Sequence, residues 1–187
     1  MKIVGFVGSP RKGGNTEVLV SEVLAGAAEK GAETKIFNLT RHNIKGCQAC
    51  HFCVANKKCA QKDDMQKLYE EVQEADAVIL GSPVYMWQVS SQTKCFIDRM
   101  LALLNPDFTT RLKGNKKLLL VFAQGNPDTA IFKDYFENTS LMLEFLGFQV
   151  KGAVIAGGTN EPGDVVKQKD VMESARQKGK ELASHLL

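Results

Sequence analysis

The chain has 187 residues, of which 44% are hydrophobic and 24% charged, and its formal net charge is +3 at pH 7. This composition fits one ordinary globular domain and excludes disordered and fibrous classes, and no apolar run is long enough to cross a bilayer. Basic residues are scattered and cluster only in pairs such as Lys57-Lys58, so we expect no nucleic-acid partner.

The N-terminal segment and the cysteine count predict a cytoplasmic protein. The first twelve residues, MKIVGFVGSPRK, lack the long apolar core and the small-residue cleavage site of a signal peptide. The chain has five cysteines, an odd number that does not suit a secreted disulfide framework. We therefore expect reduced thiols and no membrane partner.

Short apolar segments recur along the chain, and most are followed by a glycine- or proline-marked turn. Continuous apolar strands of this kind are typical of a parallel sheet that is covered on both faces. One segment alternates more and predicts an edge strand at residues 34–39. The other predicted strands are residues 3–7, 77–80, 118–123 and 150–156.

Apolar residues with helical spacing fill the intervals between these strands. The five predicted helical faces run from Val18 to Ala28, Leu68 to Ala75, Phe96 to Leu104, Phe132 to Leu146 and Met172 to Leu186. Asp63 and Gln66 predict a capping box before the second helix. The alternating order predicts a doubly wound α/β domain whose ligand binds at the carboxyl ends of the strands.

The turn after the first strand, GSPRKGGNT at residues 8–16, has the composition of a phosphate-binding loop. Its backbone N–H groups can converge on an anion, the next helix adds a positive dipole, and Arg11 adds charge. It is neither a Walker A loop nor a G-x-G-x-x-G loop, so a terminal phosphate fits better than a pyrophosphate. The alternative is an ordinary glycine-rich turn capped by Asn15 or Thr16.

Two aromatic residues follow the third strand at the same predicted edge. Tyr85 and Trp87 can stack on a flat ligand, which adds about 0.5–1.5 kcal/mol beyond area burial for aromatic pairs. Trp87 fits a core or oligomer contact equally well. In the helix that follows, Lys94, Asp98 and Arg99 are expected on a solvated face or in an ion pair.

The run CQACHFCVANKKC lies in a polar segment without helical or strand periodicity. Its cysteines are Cys47, Cys50, Cys53 and Cys59, spaced C-x2-C-x2-C-x5-C. A [4Fe–4S] cluster takes four thiolates and uses this compact start, although Ala60 stands where bacterial ferredoxins have proline. Structural zinc, which usually uses two separated pairs, and free thiols or a disulfide are the alternatives.

Three motifs together resemble a known family. GSPRKGGNT and residues 82–100, SPVYMWQVSSQTKCFIDRM, resemble the two flavin loops of the NADPH-dependent FMN reductase family. The four-cysteine run followed by Asp63-Asp64-Met65 resembles its iron–sulfur flavoprotein branch. The resemblance implies a flavodoxin-like sheet of five parallel strands in the order 2-1-3-4-5. It also implies one FMN-binding domain over residues 1–187, with a cysteine-rich insertion at about 41–62.

The resemblance also implies the contacts with FMN. The phosphate would be held by Ser9, Arg11, Gly14, Asn15 and Thr16. The isoalloxazine and ribityl chain would be lined by Pro83, Val84, Tyr85, Met86 and Trp87. A third contact loop would comprise Gln124, Gly125 and Asn126. No catalytic side chain is expected, because the flavin itself carries the electrons.

These features favour an FMN-dependent NAD(P)H oxidoreductase. It would take electrons from NAD(P)H or a ferredoxin-type carrier protein and pass them to a quinone, a flavin or an oxygen species, as a homodimer or homotetramer. The alternative is a non-enzymatic electron carrier or redox sensor with a [4Fe–4S] cluster on the cysteine loop. A response-regulator-like domain lacks support, because Gly8-Ser9 occupies the place of its acidic cluster.

Overall fold

The computed structural model describes residues 1–184, in which six β-strands and six α-helices are found. The strands are β1 Lys2–Val7, β2 Glu33–Asn38, β3 Ala77–Tyr85, β4 Gln88–Val89, β5 Lys117–Ala123 and β6 Gln149–Ala156. The helices are α1 Asn15–Ala28, α2 Phe52–Asn56, α3 Met65–Glu74, α4 Ser91–Arg99, α5 Lys133–Phe145 and α6 Lys169–Ser184. No helix within residues 1–184 is both long enough and apolar enough to span a bilayer.

The sheet order is β2-β1-β3-β5-β6, and all these neighbours pair in parallel. The five predicted strands and their flavodoxin-like order are therefore confirmed. The predicted strand count is wrong by one, because β4 pairs antiparallel with the end of β3, matching Val84 with Val89 and Tyr85 with Gln88. A two-residue strand is too short to produce a periodic signal in the sequence.

Strand β3 also runs further than predicted, through Pro83 to Tyr85. The Gly8 N–H donates to the Gly81 carbonyl at 2.8 Å, where β1 ends. Pro83 lies two residues after Gly81, so its backbone points toward the same side of β3, but β1 has already ended at this level. The N–H that proline lacks therefore breaks no hydrogen bond of the sheet. On the other side Pro83 still pairs with Ala123 of β5. The extension carries the chain across the carboxyl edge of the sheet.

Each face of the sheet is covered by its own layer of helices. Ile3, Ile79 and Val121 pack with α1 and α6, whereas Phe6 and Leu120 pack with α3, α4 and α5. The five predicted helices are thus confirmed, although Leu186 of the last predicted face lies outside the described residues. Inside the cysteine loop the structure adds α2, whose five residues gave no periodic pattern.

The predicted capping box at α3 does not form. The Asp63 carboxylate accepts from the Met65 N–H at 3.2 Å, but the Gln66 amide donates to the Gln61 carbonyl at 2.7 Å. Gln66 therefore stabilises the end of the cysteine loop, because its side chain turns toward the loop backbone.

A buried carboxylate on α3 makes the stability of the fold dependent on pH. Glu71 pairs with Lys2 at 2.7 Å and with Lys35 at 3.4 Å. Burial alone would raise the pKa of Glu71, but the two ammonium groups lower it below its ordinary value. The contribution of ionised Glu71 to the free energy of unfolding is therefore complete above the ordinary carboxyl pKa. It is lost as the pH falls through the lower pKa of the folded state.

Replacing Glu71 by glutamine should lower the free energy of unfolding by about 2 kcal/mol at pH 7, because charge-assisted hydrogen bonds are lost. The difference from the unmodified protein should shrink as the pH falls through the folded-state pKa. Urea unfolding at a series of pH values measures this. Glu70→Gln, a change at an exposed neighbour, is the matched control. If Glu71→Gln lowers the free energy of unfolding equally at neutral and acidic pH, Glu71 is not the source of the pH dependence.

Candidate active site

A cavity of about 250 Å³ lies at the carboxyl ends of β1, β3 and β5. Its lining comprises Ser9, Arg11, Asn15, Thr16, Pro83, Val84, Tyr85, Ala123, Gly125, Thr159 and Asn160. Four chain segments that are far apart in the sequence, at the ends of β1, β3, β5 and β6, therefore meet around one space. This is the edge of a doubly wound sheet where ligands are expected.

Not every predicted contact lines this cavity. Gly14, Met86, Trp87, Gln124 and Asn126 lie outside the lining. Gln124 is buried, and its amide donates to the carbonyls of Asn126 at 3.0 Å and Asp128 at 2.8 Å. Gln124 thus fixes the shape of the third loop from beneath.

Sequence reasoning missed the loop after β6. Thr159 and Asn160 line the cavity, and the Arg11 guanidinium donates to the Asn160 carbonyl at 2.6 Å. Asn15 donates to the Glu161 carbonyl at 2.9 Å and accepts from the Val165 N–H at 3.1 Å. The available signal was Gly157-Gly158, which marks a turn after β6 at the same sheet edge as the other loops.

The phosphate loop has the geometry of an anion site. Gly13 adopts a left-handed φ of 64°, and the Gly14 N–H donates to the Arg11 carbonyl at 3.1 Å. This turn places Arg11, the Ser9 hydroxyl and the start of α1 around the cavity. The first N–H groups of a helix lack intrahelical acceptors and carry a partial positive charge, which favours a bound anion.

Helix α4 is hydrogen-bonded to the phosphate loop at its N-terminus. The Ser90 hydroxyl donates to the Gly8 carbonyl at 2.7 Å, and the Ser90 N–H donates to the Ser82 hydroxyl at 3.0 Å. Ser90 also caps the helix by accepting from the Thr93 N–H at 3.2 Å. The positions of the first and second loops are therefore fixed relative to each other through α4.

The β3–β4 hairpin holds two large side chains in an unfavourable backbone conformation. Met86 and Trp87 have φ values of 45° and 67°, and their side chains are 85% and 65% exposed. A two-residue turn with positive φ at both positions favours Asn-Gly, because bulky residues there cost energy. Trp87 contacts the Phe132 ring edge-on, with centroids 6.1 Å apart. Strain of this kind is commonly retained at functional sites.

Replacing Met86 by asparagine should raise the free energy of unfolding by about 1 kcal/mol, because asparagine tolerates the left-handed region. Met86 is so exposed that little buried area is lost. Urea unfolding of both proteins measures the difference. Met142→Asn, at a position with right-handed helical geometry, should destabilise instead. A Met86→Asn protein no more stable than the unmodified one would show that the turn carries no strain.

The four cysteines of the loop line a single small pocket together with Arg99. Cys47 and Cys50 are exposed, whereas Cys53 and Cys59 are half-buried. Burial raises the pKa of the Cys53 thiol, and the charges of Cys59, Cys47 and Cys50 raise it further. The four sulfurs are thus close enough to interact electrostatically, so thiolates here would need a compensating positive charge.

A buried ion pair closes the base of this loop. The Arg99 guanidinium donates to both Asp63 carboxylate oxygens, at 2.6 and 3.0 Å, and to the Lys45 carbonyl at 2.8 Å. Both side chains are only 1% exposed. Of the two settings predicted for Arg99, the ion pair is found and the solvated face is not, whereas Lys94 and Asp98 form an exposed ion pair on α4. The partner that draws Arg99 inward comes from a loop 36 residues away in sequence.

A second arginine holds the middle of the cysteine loop. Arg111 donates to the carbonyls of Cys53 and Ala102, both at 3.1 Å. The loop also contains three non-glycine residues with left-handed φ values, namely Ala49, His51 and Lys57. Apart from the short helix α2, this irregular backbone is thus held by the guanidinium groups of Arg99 and Arg111.

The family model for NADPH-dependent FMN reductase matches residues 1–159. The chain belongs to this family. An iron-sulfur flavoprotein from Methanocaldococcus jannaschii is 35% identical, and the alignment covers 98% of this chain and 96% of that protein. An iron-sulfur flavoprotein from Archaeoglobus fulgidus is 45% identical, over 54% of this chain and 46% of its own length.

The fold itself is shared with solved structures of low sequence similarity. An NAD(P)H:quinone oxidoreductase from Methanothermobacter marburgensis superimposes with a TM-score of 0.75 at 16% identity, over 97% of this chain and 98% of that one. The predicted family and its iron–sulfur flavoprotein branch are therefore confirmed, as is the flavodoxin-like architecture.

As expected of a family member, the residues at the sheet edge fit FMN. Arg11, the hydroxyls of Ser9 and Thr16 and the start of α1 suit a terminal phosphate, and Pro83, Val84 and Tyr85 suit a flat ring. Gly125 allows the close approach of Asn160, because a Cβ atom there would lie 2.5 Å from the Asn160 Oδ1.

The cysteine pocket brings four thiol side chains together beside Arg99. A tetrahedral zinc site with bonds of about 2.3 Å requires its sulfurs to crowd closely together. Among residues 1–184, no three His, Cys, Asp or Glu side chains are placed to hold a single metal ion. The donor set itself, four thiols in one pocket beside a buried cation, is the one that an iron–sulfur cluster takes.

Proposed function

We propose that this protein uses bound FMN to pass electrons from NAD(P)H or an electron-carrier protein to a small acceptor, such as a quinone, a flavin or an oxygen species. The observation that carries the proposal is the meeting of four loops, which carry family motifs or turn signals, around one cavity at the sheet edge. Bound FMN supplies the redox chemistry.

The chain's own residues bind and orient this cofactor. Arg11 and the start of α1 neutralise the phosphate, and the Arg11 guanidinium is already oriented by the Asn160 carbonyl. Tyr85 lies at the rim, 43% exposed, so its ring can cover a flat ligand while one side stays accessible to an acceptor. Ser82 and Ser90 keep the ring-binding loop in register with the phosphate loop.

Replacing Arg11 by methionine should weaken FMN binding about 10–100-fold, because a charge-assisted bond to phosphate is worth about 1.5–3 kcal/mol. Riboflavin, which lacks the phosphate, should bind both proteins equally. Flavin fluorescence titration measures both affinities. Lys12→Met, at an exposed neighbour outside the cavity, should leave FMN affinity unchanged. An unmodified protein that binds no FMN would overturn the proposed function.

A second candidate function follows from the cysteine pocket. We propose that Cys47, Cys50, Cys53 and Cys59 hold a [4Fe–4S] cluster, so that the chain acts as an electron carrier or redox sensor. The shared pocket beside Arg99 supports this. Anaerobic purification with iron and sulfide analysis is the test, and about four of each per chain are expected. A flavin spectrum without iron would refute it.

The surface next to Cys59 supports a carrier protein as the electron donor. A cavity of about 400 Å³ there is bordered by four cationic residues, Lys57, Lys58, Arg111 and Lys113, which outnumber the carboxylates of Glu70 and Glu74. Such a positive surface suits an acidic ferredoxin-type partner. Stopped-flow flavin reduction by reduced ferredoxin should be fast and slowed by salt, and Lys57→Glu/Lys58→Glu should slow it further. Rapid reduction by NADPH alone, unaffected by these changes, would favour the pyridine-nucleotide enzyme.

An apolar groove between α4 and α5 supports assembly into a homodimer or homotetramer. The groove has a volume of about 450 Å³ and includes Ile97, Leu101, Met142 and Phe145. A second copy of this chain would cover these side chains. Sedimentation equilibrium should show an oligomer that Phe145→Glu weakens. A monomer at all concentrations would exclude this assembly.

A further inference from the structure

Arg99 borders the cysteine pocket and has one buried N–H donor without a hydrogen-bond acceptor. Its guanidinium lines the same pocket as Cys47, Cys50, Cys53 and Cys59. The two terminal nitrogens are bonded to Asp63 and the Lys45 carbonyl, but the Nε atom is buried and has no hydrogen-bond partner. A buried N–H donor without an acceptor is costly, so its retention calls for an explanation.

Only one partner of the Arg99–Asp63 ion pair borders the cysteine pocket. Arg99 lines the cysteine pocket, whereas Asp63 does not. The Asp63 carboxylate is held by the Lys45 N–H at 3.0 Å and the Met65 N–H at 3.2 Å, on the backbone beneath the loop. The thiols therefore face the positive end of the pair. Of the other cations near the loop, Arg111 bonds to the Cys53 carbonyl and does not line the cysteine pocket, and Lys57 and Lys58 are exposed and screened by water.

An iron–sulfur cluster with four thiolate ligands is negatively charged, and reduction makes it more so. Nearby positive charge and N–H donors to sulfur stabilise the reduced form and raise the reduction potential. A guanidinium suits this purpose, because it stays protonated and tolerates burial better than an ammonium. Its charge would act at short range and without screening, since the side chain is 1% exposed.

We propose that Arg99 sets the reduction potential of a cluster held by the four loop cysteines, through its buried charge and its free Nε donor. This inference rests on the proposed cluster. Asp63 then has a second role beyond folding, because it partly neutralises the guanidinium and so limits how far the potential is raised.

The test is a redox titration of the reconstituted cluster in full-length variants, followed by electron paramagnetic resonance. Asp63→Asn keeps the guanidinium and an accepting oxygen but removes the negative charge, so the potential should rise. Arg99→Lys, which lacks the Nε donor, and Arg99→Met, which also lacks the charge, should lower it, the methionine variant more. Lys94→Met, at an exposed position of the same helix, should leave the potential unchanged. Circular dichroism and FMN content identify the folded variants.

The possible failures are distinguishable. If the unmodified protein takes up no iron, the proposed cluster and this inference are both refuted, whereas the proposed FMN site is not. If the cluster forms and the potentials of the folded Arg99→Lys and Arg99→Met proteins agree with that of the unmodified protein, the inference about Arg99 alone is overturned.

A measurement without any Arg99 substitution covers the case in which these variants do not fold. In protein with 15N-labelled arginine, the reduced cluster should show a hyperfine coupling to a guanidinium nitrogen. The coupling should persist in Arg111→Lys, which removes the other loop arginine. If no such coupling appears, the proposed contact does not exist and the inference is overturned.

Discussion

Replacing Arg99 by methionine is expected to lower the free energy of unfolding of the protein without cofactors by about 3–5 kcal/mol. The substitution leaves the Asp63 carboxylate 1% exposed and without its bidentate partner. Breaking one half of a buried pair costs far more than the pair contributes, because the remaining charge keeps its full desolvation penalty. The Lys45 carbonyl loses its donor as well.

Chemical denaturation at pH 7 measures this loss, and the exposed pair on the same helix provides the control. Lys94→Met should cost less than about 1 kcal/mol, because water screens its contact with Asp98. The double variant Asp63→Leu/Arg99→Met should recover most of the stability, since no unpaired charge remains. If Arg99→Met costs no more than Lys94→Met, the buried pair does not hold the loop.

Replacing Gly8 by alanine is expected to disturb both the fold and the FMN site. A Cβ atom at this position would lie 1.8 Å from the Thr93 hydroxyl oxygen and 3.0 Å from that of Ser90. The clash must push α4 away from the phosphate loop, at a cost of about 1–3 kcal/mol. The bond from Ser90 to the Gly8 carbonyl is lost in the process, so FMN affinity should fall about tenfold or more.

Urea unfolding and FMN titration measure the two effects, and two further variants separate their causes. Gly46→Ala meets no atom within 4 Å and should leave both quantities unchanged. The double variant Gly8→Ala/Thr93→Ala removes the hydroxyl that the new methyl group would strike and should recover part of the loss. Full FMN affinity in Gly8→Ala alone would show that α4 does not position the phosphate loop.

The sheet could be predicted because its central strands β1, β3 and β5 are buried on both faces. Residues such as those of β5 form a continuous apolar run, and the turns that follow mark the carboxyl edge without reference to any distant contact. Strand β4 and helix α2 could not be predicted, because two and five residues are too few to show a period. Their positions depend on what they pair with or pack against.

The candidate site was partly predictable for the same reason. Ser9, Arg11, Pro83 and Gly125 follow strands directly, and any doubly wound sheet brings such positions to one edge. Thr159 and Asn160 were missed because nothing in their residue types indicates a ligand. The burial and the partner of Arg99 could not be predicted, because a charged residue in a polar helix normally faces water, and only the folded chain brings Asp63 to it.

The two ends of α4 have a consequence for how this protein can change over evolution. Its N-terminal cap is bonded to the Gly8 carbonyl, and its last residue is bonded to Lys45 and Asp63. Nine helical residues separate these contacts by about 14 Å at 1.5 Å per residue. The cysteine loop therefore begins and ends next to one side chain, that of Arg99. Changes within the loop must therefore preserve the contacts of Lys45 and Asp63 with Arg99, in addition to that of Cys53 with Arg111.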